Sequence, residues 1–386
     1  MAKAFRLSAK ENPRPVRAGE TVDYPFLFLV LLVLAVGLIM LWSASYAQSE
    51  YDSGYTDSGR YLRKQAACAA IGILAMFFFS RIPAGFWYRI AWPLYGVSIA
   101  LLLSVLVIGQ EVNGAKRWIN LAGIQFQPSE VAKFAQIVLF ARLTRHFGPD
   151  AKTFRYGVLG FGMALMGILV PLALEKHLSA ILLMGMVAVV MMFVAGTRMK
   201  WLLAGAGAAV VFVIVYISFM GYAGDRVTAW LHPEQDPGDT GYQILQSLYA
   251  IGSGGLFGLG WGKSRQKYLY LPFQYNDYIF AICCEELGLM GAFCIMALFA
   301  MLILRGYWIA LRSADRFSTV LAAGLTTLIA VQTILNLGVV TNLLPSTGIA
   351  LPFFSYGGTA LAVNLGEMGI LLSISRQRNL RKIQEA

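Results

Sequence analysis

The sequence predicts an all-α integral membrane protein of about ten transmembrane helices, with both termini cytoplasmic and one large extracellular loop between helices 7 and 8. Three observations carry this expectation. Of 386 residues, 58% are hydrophobic and only 13% are charged, which an ordinary soluble domain does not show. The apolar residues fall into runs of about 20, the length that crosses a bilayer as a helix. Lys and Arg gather in alternate connections between those runs, the asymmetry that orients membrane helices.

The expected spans lie at about 25–47, 65–80, 85–108, 128–144, 156–174, 178–197, 200–221, 277–304, 317–341 and 354–375. The first ends in Ser45-Tyr46-Ala47, which resembles a signal-peptidase site. Its apolar run is too long for a signal segment, so it reads as a retained span. The second and fourth are short or carry charges. A cytoplasmic N-terminus puts Arg81, Arg89, Arg142, Arg145, Arg305 and Arg312 on the inner side, as the positive-inside rule requires. The net charge of +11 then follows from topology and needs no nucleic-acid partner. The expected organisation is a cytoplasmic tail over 1–24, a membrane domain over 25–375 and a second cytoplasmic tail over 376–386.

The outer loop, 222–276, exceeds the usual connection length, and such loops tend to be functional. Within it, "YQILQSLYAIGSGG" spaces Ile244, Leu245, Leu248 and Ile251 as an amphipathic helix lying at the membrane surface. "GLGWGKS" matches the end of a phosphate-binding loop. That motif needs its first glycine where this chain has Phe257, and it should follow a strand. It is rejected. Cys68, Cys283, Cys284 and Cys294 sit in apolar runs without metal-ligand spacing and read as small buried hydrophobes. His146, His177 and His232 are scattered, so no histidine metal site is visible.

Three constellations carry chemistry. In the first, "GKSRQKYLYLPFQYNDYIFAICCEELG", Lys263, Arg265 and Lys267 precede Asp277 at a loop-to-helix junction. These cations suit either anionic lipid headgroups or a phosphorylated substrate. Asp277 suits either a helix cap or an acid–base group. Glu285 and Glu286, eight and nine residues on, lie about 12–13 Å deeper on other faces. They are expected to pack against polar helix residues. In the second, "NGAKRWINLAGIQFQPSEVAKFAQ", Pro128 starts a helix that puts Glu130 and Lys133 on one face, as a structural ion pair or a functional one. Lys116 and Arg117 add two cations before it. In the third, "NLLPSTGIALPFFSYGGT", prolines and glycines shape irregular backbone of the kind that lines a cavity. Ser346, Thr347, Ser355 and Tyr356 offer it neutral donors suited to a sugar.

Together these segments resemble the SEDS family of cell-wall proteins (FtsW, RodA and SpoVE), over nearly the whole membrane region. The wording "VVTNLLPSTGIALPFFSYGG" is closer to the division and sporulation branches. The resemblance implies a peptidoglycan glycosyltransferase that polymerises lipid II on the outer face of the bacterial cytoplasmic membrane. It would serve the division septum or sporulation, beside a class B penicillin-binding protein transpeptidase and other divisome or sporulation membrane proteins. The family's essential Asp falls on Asp277, and the Glu and Lys of its "PSExxK" helix fall on Glu130 and Lys133. Two departures stand out. The family's Thr-Asp-Phe is Asn276-Asp277-Tyr278 here, and its Gln-Pro-Asp-Leu-Gly-Thr is replaced by Glu175-Lys176-His177-Leu178-Ser179.

The implied reaction joins a sugar 4-hydroxyl to an anomeric carbon and expels undecaprenyl diphosphate. A poor nucleophile of this kind needs a base, which the resemblance assigns to Asp277. Lys116, Arg117, Lys263, Arg265 and Lys267 form the pool that would stabilise the leaving diphosphate, with a divalent cation, Mg or Mn, as the one cofactor this chemistry invites. Two rival readings are a lipid II flippase, which needs a polar path to the inner side, and a non-catalytic division scaffold, which leaves Asp277 unexplained.

Overall fold

The computed structural model describes residues 22–112, 115–121, 124–205, 207, 228–235 and 240–384. The described elements are nearly all helical: α1 (Tyr24–Asp52), α2 (Arg60–Phe79), α3 (Ala84–Ile108), α4 (Pro128–Phe147), α5 (Phe161–Leu174), α6 (Leu178–Val194), α7 (Thr240–Gly254), α8 (Ile279–Leu311), α9 (Arg316–Val340) and α10 (Gly358–Gln384). Among the described residues, seven helical stretches are long and apolar enough to cross a membrane, and α6 is a shorter apolar helix. Every expected span except the seventh coincides with a helix. Residues 200–221, expected as that span, lie mostly outside the described residues, as do residues 222–227 and 236–239 of the expected outer loop.

Local chemistry fixes the helix ends. Asp23 caps α1 by accepting from Phe26 N at 3.1 Å. Asp315 caps α9, its carboxylate accepting from Phe317 N at 2.9 Å and Ser318 N at 3.1 Å. Each cap satisfies amides that the first helical turn leaves without a partner. Arg305 reaches back from α8 to Asp23, with paired bonds at 2.9 and 3.0 Å. That bidentate pair ties one end of α1 to α8.

The helices pack by side-chain size. α4 and α9 are buried along most of their length, with α3, α6 and α8 around them. α2 packs along α10, and glycines set how closely. A Cβ on Gly72 would stand 2.6 Å from Leu365 Cδ1, and one on Gly369 would stand 2.3 Å from the Met76 carbonyl oxygen. Small residues at such crossings let backbones approach and gain dispersion contacts. Cys283 and Cys284 are buried as expected, whereas Cys68 is half-buried and Cys294 is exposed.

Two features depart from the expected helices. The stretch before α4 is a small antiparallel sheet of β1 (Gln110–Val112), β2 (Ala115–Leu121) and β3 (Ile124–Phe126), in the order β1-β2-β3. Glu111 faces Lys116, and Asn120 faces Gln125. The second departure is inside α8, where Gly288 breaks the helix at φ 67° and ψ −170°. The carbonyls of Glu285 and Glu286 accept from Leu259 N and Gly260 N, both at 3.0 Å. Leu289 N and Met290 N in turn donate to Gly255 O and Leu256 O at 2.9 and 3.1 Å. Backbone freed from a helix in an apolar interior must find partners, and the loop after α7 supplies them. A Cβ on Gly258 would lie 2.1 Å from the Glu286 carbonyl oxygen, so this contact requires glycine.

Candidate functional site

The helix expected within the long loop appears as α7, with Ile244, Ser247 and Ala250 buried on one face. Ser247 Oγ donates to Val340 O at 2.8 Å, fastening α7 to the end of α9. Beyond α7 the chain runs through the loop of residues 255–278 to α8. Two carboxylates of α8 hold that loop from inside. Glu285 accepts from Arg265 N at 3.0 Å, from Gln266 N at 3.3 Å and from the Ser264 hydroxyl. Glu286 accepts from Ser43 Oγ at 2.7 Å and Lys267 Nζ at 3.0 Å. Lys267 Nζ also donates to Gly262 O at 2.7 Å and to Ser43 Oγ at 3.1 Å.

This corrects one sequence expectation. Lys267 is 2% exposed, and its ammonium is committed to Glu286, so it does not stand with the open cations. Removing two charges from solvent is unfavourable unless they are paired and hydrogen-bonded. This pair meets both conditions. Lys263, Arg265 and Lys116 are exposed, and Arg117 is half-buried.

Asp277 is half-buried two residues before α8. The cap position of α8 is Tyr278, so Asp277 lies one residue further out. Its backbone carbonyl accepts from Asn336 Nδ2 of α9 at 2.7 Å, and the same amide donates to Ile349 O at 2.9 Å. Asn336 therefore clamps the Asp277 backbone to the Pro- and Gly-rich segment, residues 345–357. That segment is stitched to the residues before Asp277 as well. Ser355 Oγ donates to Asn276 O at 2.6 Å, and Tyr356 N donates to Tyr275 O at 2.9 Å. Gly348, whose φ of +69° favours glycine, adjoins the carboxylate: a Cβ there would stand 3.4 Å from Asp277 Oδ2, in ordinary contact.

The third constellation is thus beside the first. Its neutral donors divide. The Ser355 hydroxyl is consumed internally, since it also accepts from Leu351 N at 2.8 Å. Thr347 Oγ1 is buried with no hydrogen-bond partner among the described residues. Tyr356 is half-buried against Tyr61 and Tyr275. Ser346 is half-buried.

The start of α6 joins the same neighbourhood, because the Ser179 hydroxyl donates to Thr347 O. Just before it, Lys176 O accepts from Arg117 Nη2 at 2.5 Å. Burial pushes the Glu175 carboxyl up to about 8, with the Arg117 charge pulling the other way. Burial drives His177 down to about 3, and the Arg117 and Lys133 cations add to that effect. Lys133 itself pairs with Glu130 at 2.7 Å, both buried near the start of α4.

Sequence reasoning missed Asn336, Gln65 and the half-exposed Tyr61 and Tyr275. The signal available for Asn336 was a polar side chain inside an apolar run, whereas Gln65 stands at the edge of one, after Arg63 and Lys64. Among the described residues no group of three or more His, Cys, Asp and Glu side chains is gathered to hold a metal ion.

The family described as "Cell cycle protein", that of FtsW, RodA and SpoVE, matches residues 24–380. The chain belongs to this family. It is 39% identical over 363 residues to the "Probable peptidoglycan glycosyltransferase FtsW" of Geobacter sulfurreducens, covering 93% of this chain and 96% of the relative. It is 39% identical to "Stage V sporulation protein E" of Bacillus subtilis over 358 residues, covering 92% and 97%. With the "Peptidoglycan glycosyltransferase MrdB" of Escherichia coli it shares 37% over 383 residues, covering 96% and 98%.

Among solved structures, a chain from "Structural coordination of polymerization and crosslinking by a peptidoglycan synthase complex" superposes with TM-score 0.79 at 28% identity, covering 93% of this chain and 98% of that one. The Thermus thermophilus rod shape determining protein RodA gives TM-score 0.68 at 28% identity, with the same coverage. This FtsW/RodA/SpoVE chain is accordingly a multi-pass membrane protein with a RodA-like fold.

Proposed function

We propose that the chain is a peptidoglycan glycosyltransferase that polymerises lipid II, with Asp277 as the general base. The observation that carries the reading is the half-buried Asp277 carboxylate beside Gly348, on a backbone fixed by Asn336. It lies in a chain aligned over most of its length with relatives named peptidoglycan glycosyltransferase. A carboxylate within hydrogen-bond reach of the acceptor 4-hydroxyl takes its proton as the glycosidic bond forms. Fixed backbone serves this role, since reorienting the base during reaction would add to the barrier.

The leaving undecaprenyl diphosphate gathers negative charge, which positioned cations stabilise. Lys263, Arg265, Lys116 and Arg117 are the proposed pool, with Lys267 withdrawn because Glu286 holds it. The reaction takes place on the outer face of the cytoplasmic membrane, with both termini inside. The partner is a class B penicillin-binding transpeptidase, a reading supported by the likeness to a chain whose complex couples polymerisation to crosslinking. Identity of 39% to both an FtsW and a stage V sporulation protein supports a role at the division or sporulation septum.

Purified protein, alone and with its transpeptidase, given labelled lipid II tests the reading. A polymerase yields glycan strands. A flippase or scaffold leaves the lipid II unpolymerised.

A further inference from the structure

Three tyrosines from distant parts of the chain meet beside the candidate site. Tyr61 lies at the start of α2, Tyr275 lies two residues before Asp277, and Tyr356 lies at the end of the segment that holds Gly348. The Tyr61 ring centroid is 4.6 Å from that of Tyr275 and 4.9 Å from that of Tyr356, and the latter two are 5.9 Å apart. Tyr61 and Tyr356 meet edge to face at 87°, a favoured aromatic geometry.

The cluster is held firmly. Tyr356 N donates to Tyr275 O. Gln65, one turn beyond Tyr61, donates to Ser355 O at 3.1 Å and accepts from Gly357 N at 3.1 Å. The Tyr61 hydroxyl donates to the Asp52 carboxylate and lies 3.4 Å from the Tyr275 hydroxyl. Despite this anchoring, all three residues are half-exposed. Phe353 and Phe354, in the same segment as Tyr356, are 2% and 1% exposed. Aromatic side chains of this segment are therefore readily buried, and the tyrosines are instead fixed and left open.

We infer that Tyr61, Tyr275 and Tyr356 form a stacking wall for a pyranose ring of the glycan strand, next to the sugar that reacts at Asp277. A β-linked pyranose presents a face of axial C–H groups and a rim of hydroxyls. The C–H face packs on an aromatic ring, while tyrosine hydroxyls meet the rim. Such a wall holds a strand without demanding one register, which suits repeated addition. The inference rests on the polymerase reading and adds a subsite to it.

The test uses the full-length protein in detergent with two readouts. The first is lipid II polymerisation, reported as KM, kcat and glycan length. Tyr61→Leu is expected to raise KM about fivefold, more than it lowers kcat, and to shorten the glycan. Tyr61→Phe, which keeps the ring and loses the hydroxyl, is expected to restore most of the length. The second readout is saturation-transfer NMR with chitotetraose, a soluble β-1,4-linked N-acetylglucosamine tetramer. Transfer to sugar ring protons is expected in the wild type and Asp277→Asn, and is lost in Tyr61→Leu. If Tyr61→Leu does not fold, Tyr356→Leu takes its place. Unchanged transfer and glycan length in the Leu variants would overturn the wall, as would a Phe variant no better than Leu. Wild-type protein that binds chitotetraose yet makes no glycan, even with its transpeptidase, would overturn the polymerase reading and leave the tyrosines as a saccharide-binding site without it.

Discussion

Lys267 Nζ sits 3.0 Å from Glu286 Oε1, with the lysine side chain 3% exposed and the carboxylate fully buried. The two residues join the loop that leads to Asp277 onto α8, and Ser43 of α1 bonds to both. Removing one partner strands the other charge in an apolar interior, a loss of about 3–5 kcal/mol. Lys267→Met and Glu286→Gln are each expected to lower the thermal midpoint in detergent sharply. The double variant should be more stable than the worse single one. Near wild-type midpoints for both single variants would contradict the staple.

The Glu130–Lys133 pair at the start of α4 makes a parallel case. Glu130→Ala and Lys133→Ala are each expected to impair folding or polymerisation, for the same reason. The charge-swapped double variant should recover part of what either single loses. Single alanine variants that fold and polymerise normally would remove any important role for the pair.

Much of the fold is legible in the sequence because run length and charge asymmetry respond directly to the bilayer. The spans, the helix over 240–254 and the Pro128 start all follow from local pattern. Lys267 was not legible in the same way. A lysine in a polar loop looks solvated until tertiary structure brings it against Glu286 of α8. The break in α8 hides in a sequence where Gly288 is one glycine among several. The sheet before α4 had a signal in the alternation of Trp118, Asn120 and Gln125 with Ile119, Leu121 and Ile124, but short strands there compete with a loop. For the site, Asp277 at its loop-to-helix junction and Tyr356 in the Pro- and Gly-rich segment follow from the residues themselves, and the resemblance adds the acid–base role of Asp277. Asn336, which clamps the Asp277 backbone, carries no motif and needed the geometry.

The hydrogen-bond ladder across Gly288 gives a third prediction. Gly258→Ala puts a Cβ into the Glu286 carbonyl oxygen, on a residue already at φ +78°. Backbone must shift, and the loop ahead of Asp277 shifts with it. Loss of polymerisation with a lowered thermal midpoint is expected. Gly252→Ala, where a Cβ meets nothing within 4 Å, is the comparison and should be tolerated. Equal tolerance of both would count against the ladder.

Glu175 and His177 predict a pH dependence with opposed signs. Glu175 has an ordinary value of 4.5 and is raised to about 8, so the folded form holds a proton there that the unfolded form has lost. Its contribution to stability falls as pH rises through that window. His177, lowered from 6.5 to about 3, does the reverse, and its contribution falls as pH drops below 6.5. The two oppose each other between 4.5 and 6.5, and of the two only Glu175 acts between 6.5 and 8. Thermal midpoints in detergent should therefore fall from pH 6.5 to 8, by at most about 1.4 kcal/mol of stability per pH unit. Glu175→Gln should reduce that fall. A fall of the same size in Glu175→Gln would assign it elsewhere.

The central claim is that the Asp277 carboxylate takes the proton of the acceptor hydroxyl. Asp277→Asn keeps the size and the backbone carbonyl that Asn336 holds, and removes only the basic oxygen. The decisive measurement is the initial rate of glycan synthesis from labelled lipid II by equal amounts of folded wild-type and Asp277→Asn protein. With Asp277 as the base, the variant inserts, keeps its thermal midpoint and its transpeptidase, and makes no detectable glycan. Polymerisation by Asp277→Asn near the wild-type rate would contradict the account and leave Asp277 a structural residue ahead of α8.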